Sequence, residues 1–336
     1  MKNLPKVTVA VVCFNEEKNI GSCLASLLAQ SYPRQKLEIL VVDNASEDKT
    51  QEIIKNFQRK TKRIRPVINP KRGIAASRNV AVKNCRTALI AFTDADCLTP
   101  KNWLKNLVAG WLKYKKKYPE LVAVGGPNYP PKTTKFYQAL GIVLNTYLGS
   151  RGSVQGRRYL TDREVKHLPT VNVLYEKKAI EKIGGFDERL GSIIEDEDLS
   201  YRLLKKGRRF FYLANAGVVH KMRDNLLAWA KRMVVYGKGR MMFLEKYPER
   251  REIIFFLPLV LLLTAPFSFW FYCLFFGFYS LFLALKNKKP NLAGKIFLIF
   301  FLTHWPYALG ELSHLGDTLC QGIISFRFGF GKASHF

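Results

Sequence analysis

The sequence predicts an α/β domain with a mainly parallel sheet, followed by amphipathic juxtamembrane helices and C-terminal transmembrane helices. Two observations support this prediction. Short apolar runs alternate with helical stretches through the first half of the 336 residues, as in a parallel sheet that helices cover on both faces. Residues 253–285 contain no charged side chain, whereas residues 1–252 are rich in charge. Such a long uncharged apolar segment is typical of a membrane region.

The elements of the first half follow from the spacing of apolar residues. A continuous apolar run predicts a buried strand, and Leu24, Leu27 and Leu28 have the spacing of a helix face. The predicted strands are residues 7–13, 37–42, 64–68, 88–92, 122–126, 171–175 and 209–213. The predicted helices are one that ends at Gln30, one after Ser46, a short one before Gly184, and residues 71–84, 100–117 and 195–206.

Polar side chains directly follow three of these strands. Asn15 comes after the first strand, Asp43 after the second, and Asp94 and Asp96 after the fourth. Ligands of open parallel sheets bind beyond the carboxyl ends of the strands. We therefore expect these side chains to line one crevice.

An irregular stretch, residues 127–170, interrupts the alternation. It lacks clear periodicity and contains two consecutive prolines and several glycines. Because it is too long for a simple connection, we interpret it as a lid or an acceptor-facing insertion within a first domain of residues 1–221.

Composition limits the partners and the compartment. The formal net charge of +28 requires a negative partner, for which nucleic acid, anionic lipid and a diphosphate-bearing substrate all qualify. No signature of a nucleic-acid-binding fold is present, so nucleic acid is not expected as a partner. The six cysteines lack metal-type spacing, which fits a reducing compartment. The N-terminus enters a predicted strand rather than a secretory signal, which predicts a cytosolic first domain.

Residues 222–252 are predicted to form basic amphipathic helices at a membrane surface. Aromatic and apolar side chains such as Trp229 and Met233 alternate there with Lys and Arg. This pattern is typical of a helix that places its aromatic rings in the lipid and its cations near anionic membrane lipid.

Residues 253–325 are predicted to form the transmembrane region. Pro258 and Pro266 interrupt its apolar run, and the basic residues 286–289 follow. The leading interpretation is a hairpin of two short passes within residues 253–285, since it places the basic loop in the cytosol. A single kinked helix is the alternative, and a further candidate at residues 296–309 makes two to three passes in total.

Two acidic motifs are candidates for chemistry. Asp94 and Asp96 stand two positions apart on a turn after a buried strand, where they can hold a hard divalent cation such as Mg²⁺ or Mn²⁺. Residues 195–198, Glu-Asp-Glu-Asp, open a predicted helix. Acidic residues favour the first turn of a helix, but four in a row repel one another. We therefore expect one of them to have a raised pKa and to act as a base.

Several motifs occur in an order that resembles family 2 glycosyltransferases of the GT-A fold. The first matching motif is VVCFNE, the second is VVDNASEDKT, and the later motifs follow in the family's order. The matching segments are residues 11–16, 41–50, 71–79, 94–96, 184–188 and 195–202.

The resemblance implies a nucleotide site. Phe14, Asn15 and Glu16, together with Asp43, would bind the base and ribose of a nucleotide-diphosphate sugar. The cationic residues Arg78 and Arg223 would lie near its phosphates.

The resemblance also implies a metal and a base. Asp94 would face the nucleotide, Asp96 would ligate a divalent cation, and His220 resembles a family histidine near that metal. Asp196 matches the family's general base, which takes a proton from the acceptor hydroxyl as it attacks the anomeric carbon with inversion.

The function expected from the resemblance is sugar transfer to a polyprenyl-linked saccharide, for polysaccharide or glycan assembly. The enzyme would be a multi-pass protein of the cell membrane with a cytoplasmic catalytic domain. Two alternatives stay open: a polyprenyl-phosphate sugar synthase, and a catalytically inactive membrane scaffold with the same fold.

Overall fold

The computed structural model describes residues 4–190 and 193–328, with side chains as far as residue 318. The chain divides into two compact units, and the boundary lies between Met222 and Arg223. The first unit contains the described β-strands, and the described part of the second consists of helices.

The first unit is built on two sheets. Its described strands are β1 (Val7–Cys13), β2 (Leu37–Asp43), β3 (Ile64–Ile68), β4 (Leu89–Asp94), β5 (Cys97–Leu98), β6 (Leu121–Gly125), β7 (Asn128–Tyr129), β8 (Arg163–Val165), β9 (Asn172–Glu176), β10 (Arg209–Tyr212) and β11 (Val218–His220). The large sheet has the order β3-β2-β1-β4-β9-β6-β10-β8, and the small sheet has the order β5-β11-β7. All seven predicted strands are present, with their ends shifted by two residues at most.

Helices cover both faces of the large sheet. The described helices of the first unit are α1 (Ile20–Leu28), α2 (Thr50–Lys60), α3 (Ile74–Asn84), α4 (Trp103–Lys117), α5 (Lys135–Leu144), α6 (Tyr147–Ser150), α7 (Lys177–Glu181) and α8 (Glu195–Lys205). Val9 of β1 belongs to the apolar core that includes Leu24 and Leu107, from α1 and α4. The next residue, Ala10, belongs to the core on the other face, which includes Leu203 of α8. Burial on both faces explains why the strands are continuously apolar.

The register brings the ends of three strands to one edge. Strand β1 pairs in parallel with β2, where Cys13 lies opposite Asp43, and with β4, where Val12 lies opposite Asp94. The predicted mainly parallel α/β fold is therefore confirmed. Strand β9 differs, since it runs antiparallel to both β4 and β6. Its apolar run gave no indication of direction, because a strand buried on both faces has the same pattern either way.

The segment of residues 127–170 is more regular than expected. It contains the strands β7 and β8 and the helices α5 and α6. Leu140 and Val143 of α5 are fully buried, and the Thr134 hydroxyl caps this helix by accepting a hydrogen bond from a backbone N–H three residues later. The expectation of an irregular segment was wrong, because the consecutive prolines precede the helix and leave its apolar face intact. The acceptor-facing role stays a prediction.

The second unit contains the helices α9 (Leu226–Lys246), α10 (Leu257–Leu263), α11 (Ala265–Lys286) and α12 (Ala293–Phe328) in its described part. By length and composition, the segments Ala265–Lys286 and Pro290–Thr318 could cross a membrane. The Phe267 and Trp270 side chains of α11 are 80% and 75% exposed. These features fit membrane association.

The hairpin predicted within residues 253–285 was wrong. Helix α10 has seven residues, which extend about 10 Å at about 1.5 Å per residue, whereas the hydrocarbon core of a bilayer is about 30 Å thick. Helix α11 is long enough to cross by itself. Pro266 lies in its first turn, where a missing backbone N–H breaks no intrahelical hydrogen bond.

The lipid-facing position predicted for the Trp229 and Met233 side chains was wrong as well, whereas the placement of residues 222–252 at a membrane surface stays a prediction. Trp229 and Met233 are 5% and 4% exposed, and the Trp229 indole N–H donates to the Thr303 hydroxyl of α12 at 3.0 Å. At Gly237 and Gly310 the backbones of α9 and α12 approach so closely that a Cβ on either glycine would overlap the other helix. The apolar face of α9 is therefore covered by protein within the second unit.

Candidate active site

The loops that follow β1 and β2 hold each other in place. Asn15 has a φ of 53°, in the left-handed region that Asn tolerates better than most residues. Its backbone N–H donates to the Ser46 hydroxyl at 2.9 Å, and its Oδ1 accepts from the Glu47 backbone N–H at 2.9 Å. The neighbouring Phe14 is 40% exposed, and the Arg72 guanidinium lies 5.4 Å from its ring centroid. The paired loops thus leave the Phe14 ring partly exposed, with a cation beside it.

Two acidic residues stabilise the turns at this edge. Asp43 is 2% exposed, and its carboxylate accepts hydrogen bonds from the Ser46 hydroxyl and backbone N–H and from Gln51 Nε2 at 2.8 Å. The Glu16 carboxylate accepts from Asn19 Nδ2 at 2.8 Å. Both residues lie just after strands that end at this edge, and their described partners are groups of the protein itself. Their contact with a nucleotide stays a prediction.

Asp96 and His220 meet between the large and the small sheet. Pairing of β11 with β5 places His220 opposite Cys97, and His220 Nε2 lies 3.3 Å from Asp96 Oδ2. The side-chain donor atoms of Asp96, Cys97 and His220 lie within 4.8 Å of one another. These two strands therefore assemble a compact set of candidate metal ligands.

Asn128 orients the His220 ring from its other side. Its Oδ1 accepts a hydrogen bond from the Gly156 backbone N–H at 3.0 Å, so its amide nitrogen is the atom that lies 3.3 Å from His220 Nδ1. An amide nitrogen only donates. His220 Nδ1 is therefore the acceptor in this arrangement of the neutral ring, with the proton on Nε2, facing Asp96. For Nε2 to hold a cation, that proton would have to move to Nδ1 and the Asn128 amide would have to turn.

The donor set fits a hard divalent cation. Desolvation raises the pKa of Asp94. The Arg78 charge opposes this increase, and the neighbouring Asp96 carboxylate adds to it. A cation between the two carboxylates would relieve this repulsion. Burial raises the pKa of the Cys97 thiol well above its ordinary value, so the sulfur stays protonated and is a poor ligand. Carboxylate oxygens remain, and these are the donors that Mg²⁺ and Mn²⁺ prefer.

Arg78 is a buried cation next to these carboxylates. It lies on α3 and is 3% exposed. Its guanidinium forms an ion pair with Glu195 at the start of α8 and lies 3.6 Å from Asp94 Oδ1. Desolvation raises the pKa of Glu195, and the Arg78 charge only partly offsets it. A fixed positive charge thus lies beside the predicted metal site.

Asp196 is held by the segment that precedes β9. His167 Nε2 lies 3.7 Å from Asp196 Oδ1, and the Thr170 backbone N–H donates to Oδ2 at 3.4 Å. Desolvation raises the pKa of Asp196, but His167 and the Arg78 charge outweigh it and lower the pKa to about 2. The expectation that like charges raise the pKa of the base was therefore wrong for Asp196. It is an ionised carboxylate at neutral pH.

Sequence reasoning missed His167 and Asn128. His167 comes from the segment interpreted as irregular, and nothing near it in the sequence indicates a carboxylate partner. The sequence did contain a signal for Asn128, namely a polar residue shortly after the end of a buried strand. Asn128 follows the end of β6 by three residues, and Asn15 follows the end of β1 by two. Arg223 begins the second unit, and its predicted phosphate contact stays a prediction.

Two solved structures resemble this fold. The mannosyltransferase PcManGT from Pyrobaculum calidifontis, determined with GDP-Man and Mn²⁺, matches 97% of this chain and 81% of its own, with a TM-score of 0.55 and 17% identity. GalNAc-T7, determined with UDP, GalNAc and Mn²⁺, matches 72% of this chain and 51% of its own, with a TM-score of 0.50 and 14% identity. At these identities the likeness shows the fold, a GT-A-like α/β domain.

Sequence relatives carry the comparison further. Glycosyltransferase AglE of Haloferax volcanii is 29% identical over 188 residues, which cover 56% of this chain and 58% of AglE, so the match spans little more than half of that relative. A Methanococcus voltae enzyme is 25% identical over 243 residues, 71% of this chain and 74% of its own length. It is named dolichyl N-acetyl-alpha-D-glucosaminyl phosphate 3-beta-D-2,3-diacetamido-2,3-dideoxy-beta-D-glucuronosyltransferase. Residues 8–184, more than half of the chain, match the family described as Glycosyl transferase family 2. The chain therefore belongs to glycosyl transferase family 2.

Proposed function

We propose that this chain is an inverting, metal-dependent glycosyltransferase that moves a sugar from a nucleotide-diphosphate sugar to a polyprenyl-linked saccharide at the membrane. The observation that carries the proposal is the grouping of Asp94, Asp96, His220 and Arg78 at the sheet edge, beside the ionised carboxylate of Asp196. The name of the Methanococcus voltae relative, with its dolichyl-linked acceptor, supports the acceptor class. The GDP-Man and Mn²⁺ of the PcManGT structure support the donor class and the cation.

The nucleotide part of the donor binds along the loops after β1 and β2. The exposed Phe14 ring stacks on the base, and Asn15, Glu16 and Asp43 hold the loop geometry and contact the nucleoside. Arg78 attracts the diphosphate through its fixed charge, and Arg223 contributes a second cation. Asp94 and Asp96 hold the divalent cation together with His220. When bound, that cation neutralises negative charge on the departing diphosphate.

Asp196 removes the proton of the acceptor hydroxyl. The hydroxyl oxygen forms a bond to the anomeric carbon while the bond from that carbon to the diphosphate breaks, and attack from the opposite side inverts the configuration. A base with a pKa of about 2 takes the proton late, once the forming bond has made the hydroxyl acidic. His167 keeps the carboxylate oriented towards the acceptor side.

A polyprenyl-linked acceptor lies in the same kind of membrane that would anchor this chain. The two span-length helical segments anchor the chain, the excess positive charge favours an anionic lipid surface, and the catalytic unit lies on the cytoplasmic side. This arrangement suits the assembly of a polysaccharide or glycan on a lipid carrier.

The test is turnover of a panel of nucleotide sugars by the full chain in detergent, with Mn²⁺, Mg²⁺ or a chelator and with a lipid extract as the acceptor source. We expect one donor to be used, the chelator to abolish turnover, and Asp96→Ala and Asp196→Asn to remove it. Retained activity of Asp196→Asn with a polyprenyl phosphate acceptor would favour the polyprenyl-phosphate sugar synthase, because a phosphate needs no base. Absence of turnover for every donor, with no thermal stabilisation by donor and metal, would favour the inactive scaffold.

A further inference from the structure

An open cleft of about 400 Å³ lies on the first unit, outside the site described above. Its lining includes Tyr129, Arg158, Tyr159, Asn215 and Val219. We refer to it as the tyrosine–arginine cleft. Its volume is in the range of small-molecule sites.

The cleft and the candidate metal site are built on the same short strands. Strand β11 provides His220, which faces Asp96, and also Val218 and Val219, which line the cleft. Likewise, Asn128 contacts His220, and the following Tyr129 lines the cleft. A ligand in the cleft is therefore held on the same short strands that position His220.

Three guanidinium groups stack on the tyrosine rings of the cleft. Arg158 lies 4.8 Å from the ring centroid of Tyr129, whereas Arg157 and Arg163 lie 5.0 and 4.5 Å from that of Tyr159. None of these three arginines forms an ion pair with a carboxylate of residues 4–190 or 193–318. Other arginines of this unit do have carboxylate partners, among them Arg65, Arg78, Arg189, Arg202 and Arg209. Arg158 lines the cleft, and Arg157 and Arg163 lie close to its Tyr159 ring, so the cleft carries positive charge that the described protein does not neutralise.

We infer that the tyrosine–arginine cleft binds an acidic sugar of the acceptor saccharide, at a position remote from the hydroxyl that reacts. This inference rests on the proposed function. Guanidinium groups bind carboxylate or phosphate oxygens through paired hydrogen bonds, and the tyrosine rings over which they lie hold these groups in place at the cleft. Asn215 is exposed at the rim and adds amide groups for sugar hydroxyls. The cleft therefore selects acceptors that already carry an acidic residue.

The experiment measures ligand binding by the full chain in detergent, using NMR or calorimetry. The probes are methyl β-D-glucuronide, the neutral methyl β-D-glucoside and inorganic phosphate. The variant Arg158→Gln removes one cleft charge. Its matched control is Arg59→Gln, since Arg59 is an exposed arginine of α2 whose one hydrogen bond among the described residues goes to Asn56. We expect the glucuronide to bind about tenfold more tightly than the glucoside. We expect Arg158→Gln to weaken glucuronide binding about tenfold and Arg59→Gln to leave it unchanged.

Equal binding of glucuronide and glucoside, or unchanged glucuronide binding in Arg158→Gln, would overturn the inference. Phosphate that binds as tightly as the glucuronide, with the same dependence on Arg158, would reveal a plain anion site and would also overturn it. Nucleotide-sugar turnover of the same preparations separates the two proposals. Turnover without glucuronide binding counts against the cleft alone, whereas Arg158-dependent glucuronide binding without turnover counts against the proposed function alone.

Discussion

Arg78 and Glu195 form a buried ion pair that joins α3 to α8. They are 117 positions apart in the sequence and are 3% and 5% exposed. Burying one of these charges without the other is strongly unfavourable, so each residue requires its partner. Because Asp196 is the next residue of α8, the pair also sets where the predicted base lies relative to Asp94.

The first prediction concerns the stability of this pair. We expect Arg78→Gln to lower the free energy of unfolding by about 3 kcal/mol, because Glu195 is left buried without a counter-charge. The measurement is denaturation of the full chain in detergent, without nucleotide or metal. Arg72→Gln is the control: its ion pair with Glu47 is exposed on both sides, so the loss should stay below about 1 kcal/mol. Similar losses in the two variants would contradict the prediction.

The second prediction concerns the pH dependence of stability. The pKa of Asp196 in the folded protein, about 2, lies below the ordinary value of 3.8. The folded state therefore favours the ionised carboxylate. Its contribution to the free energy of unfolding is present above pH 4 or so and is lost as the pH falls towards about 2. Nearly two pKa units correspond to about 2 kcal/mol. We expect the stability difference between the wild type and Asp196→Asn to disappear over that range.

The control for this pH experiment is His167→Gln. Removing the His167 partner raises the pKa of Asp196. The stability difference between His167→Gln and the double variant His167→Gln/Asp196→Asn should therefore be smaller than the difference between wild type and Asp196→Asn, and it should disappear at a higher pH. A difference between wild type and Asp196→Asn that stays constant from neutral pH to pH 3 or so is the result that would sink this prediction.

The third prediction concerns the proton on His220. A histidine that ligates a metal through Nε2 carries its proton on Nδ1, whereas the Asn128 amide nitrogen faces Nδ1 here. In Asn128→Asp, one carboxylate oxygen could accept from the Gly156 N–H and the other could accept from a proton on His220 Nδ1. We expect this variant to bind Mn²⁺ about tenfold more tightly, measured by calorimetry on the full chain, with ¹⁵N NMR to locate the proton.

Added negative charge alone could strengthen metal binding, so the matched control is Asn102→Asp. Asn102 is exposed at the start of α4, and we expect its substitution to leave the Mn²⁺ affinity unchanged. Unchanged or weaker binding in Asn128→Asp, or a proton that stays on Nε2, would show that the amide does not control the ring.

The fourth prediction concerns the crossing of α9 and α12. A Cβ at Gly237 would overlap the Tyr307 carbonyl, so Gly237→Ala must push the two backbones apart. We expect it to lower the free energy of unfolding by about 1–3 kcal/mol, seen as a lower melting temperature in detergent. Gly294→Ala is the control, because a Cβ at that position of α12 meets nothing within 4 Å. Equal melting temperatures for the two variants would show that the crossing tolerates separation.

Much of the first unit could be predicted because its signals are local. The apolar run of β4 and the acidic turn after it lie within a few residues, and parallel strands end at the same edge of a sheet. The position of Asp43 and Asp94 at one edge therefore required no coordinates. Helix α5 was missed because the prolines before it suggested a loop, although its buried residues do have helical spacing.

The sequence by itself determined the α/β class, the strand ends that carry Asp43, Asp94 and Asp96, and the apolar character of the C-terminal region, because each depends on neighbouring residues. Only the tertiary structure decided that Glu195 pairs with Arg78 and that Asp196 meets His167 and the Thr170 backbone. It also decided that the apolar face of α9 packs on α12. Such contacts join residues 26 to 117 positions apart, and side chains brought together over that distance leave no pattern in the local sequence.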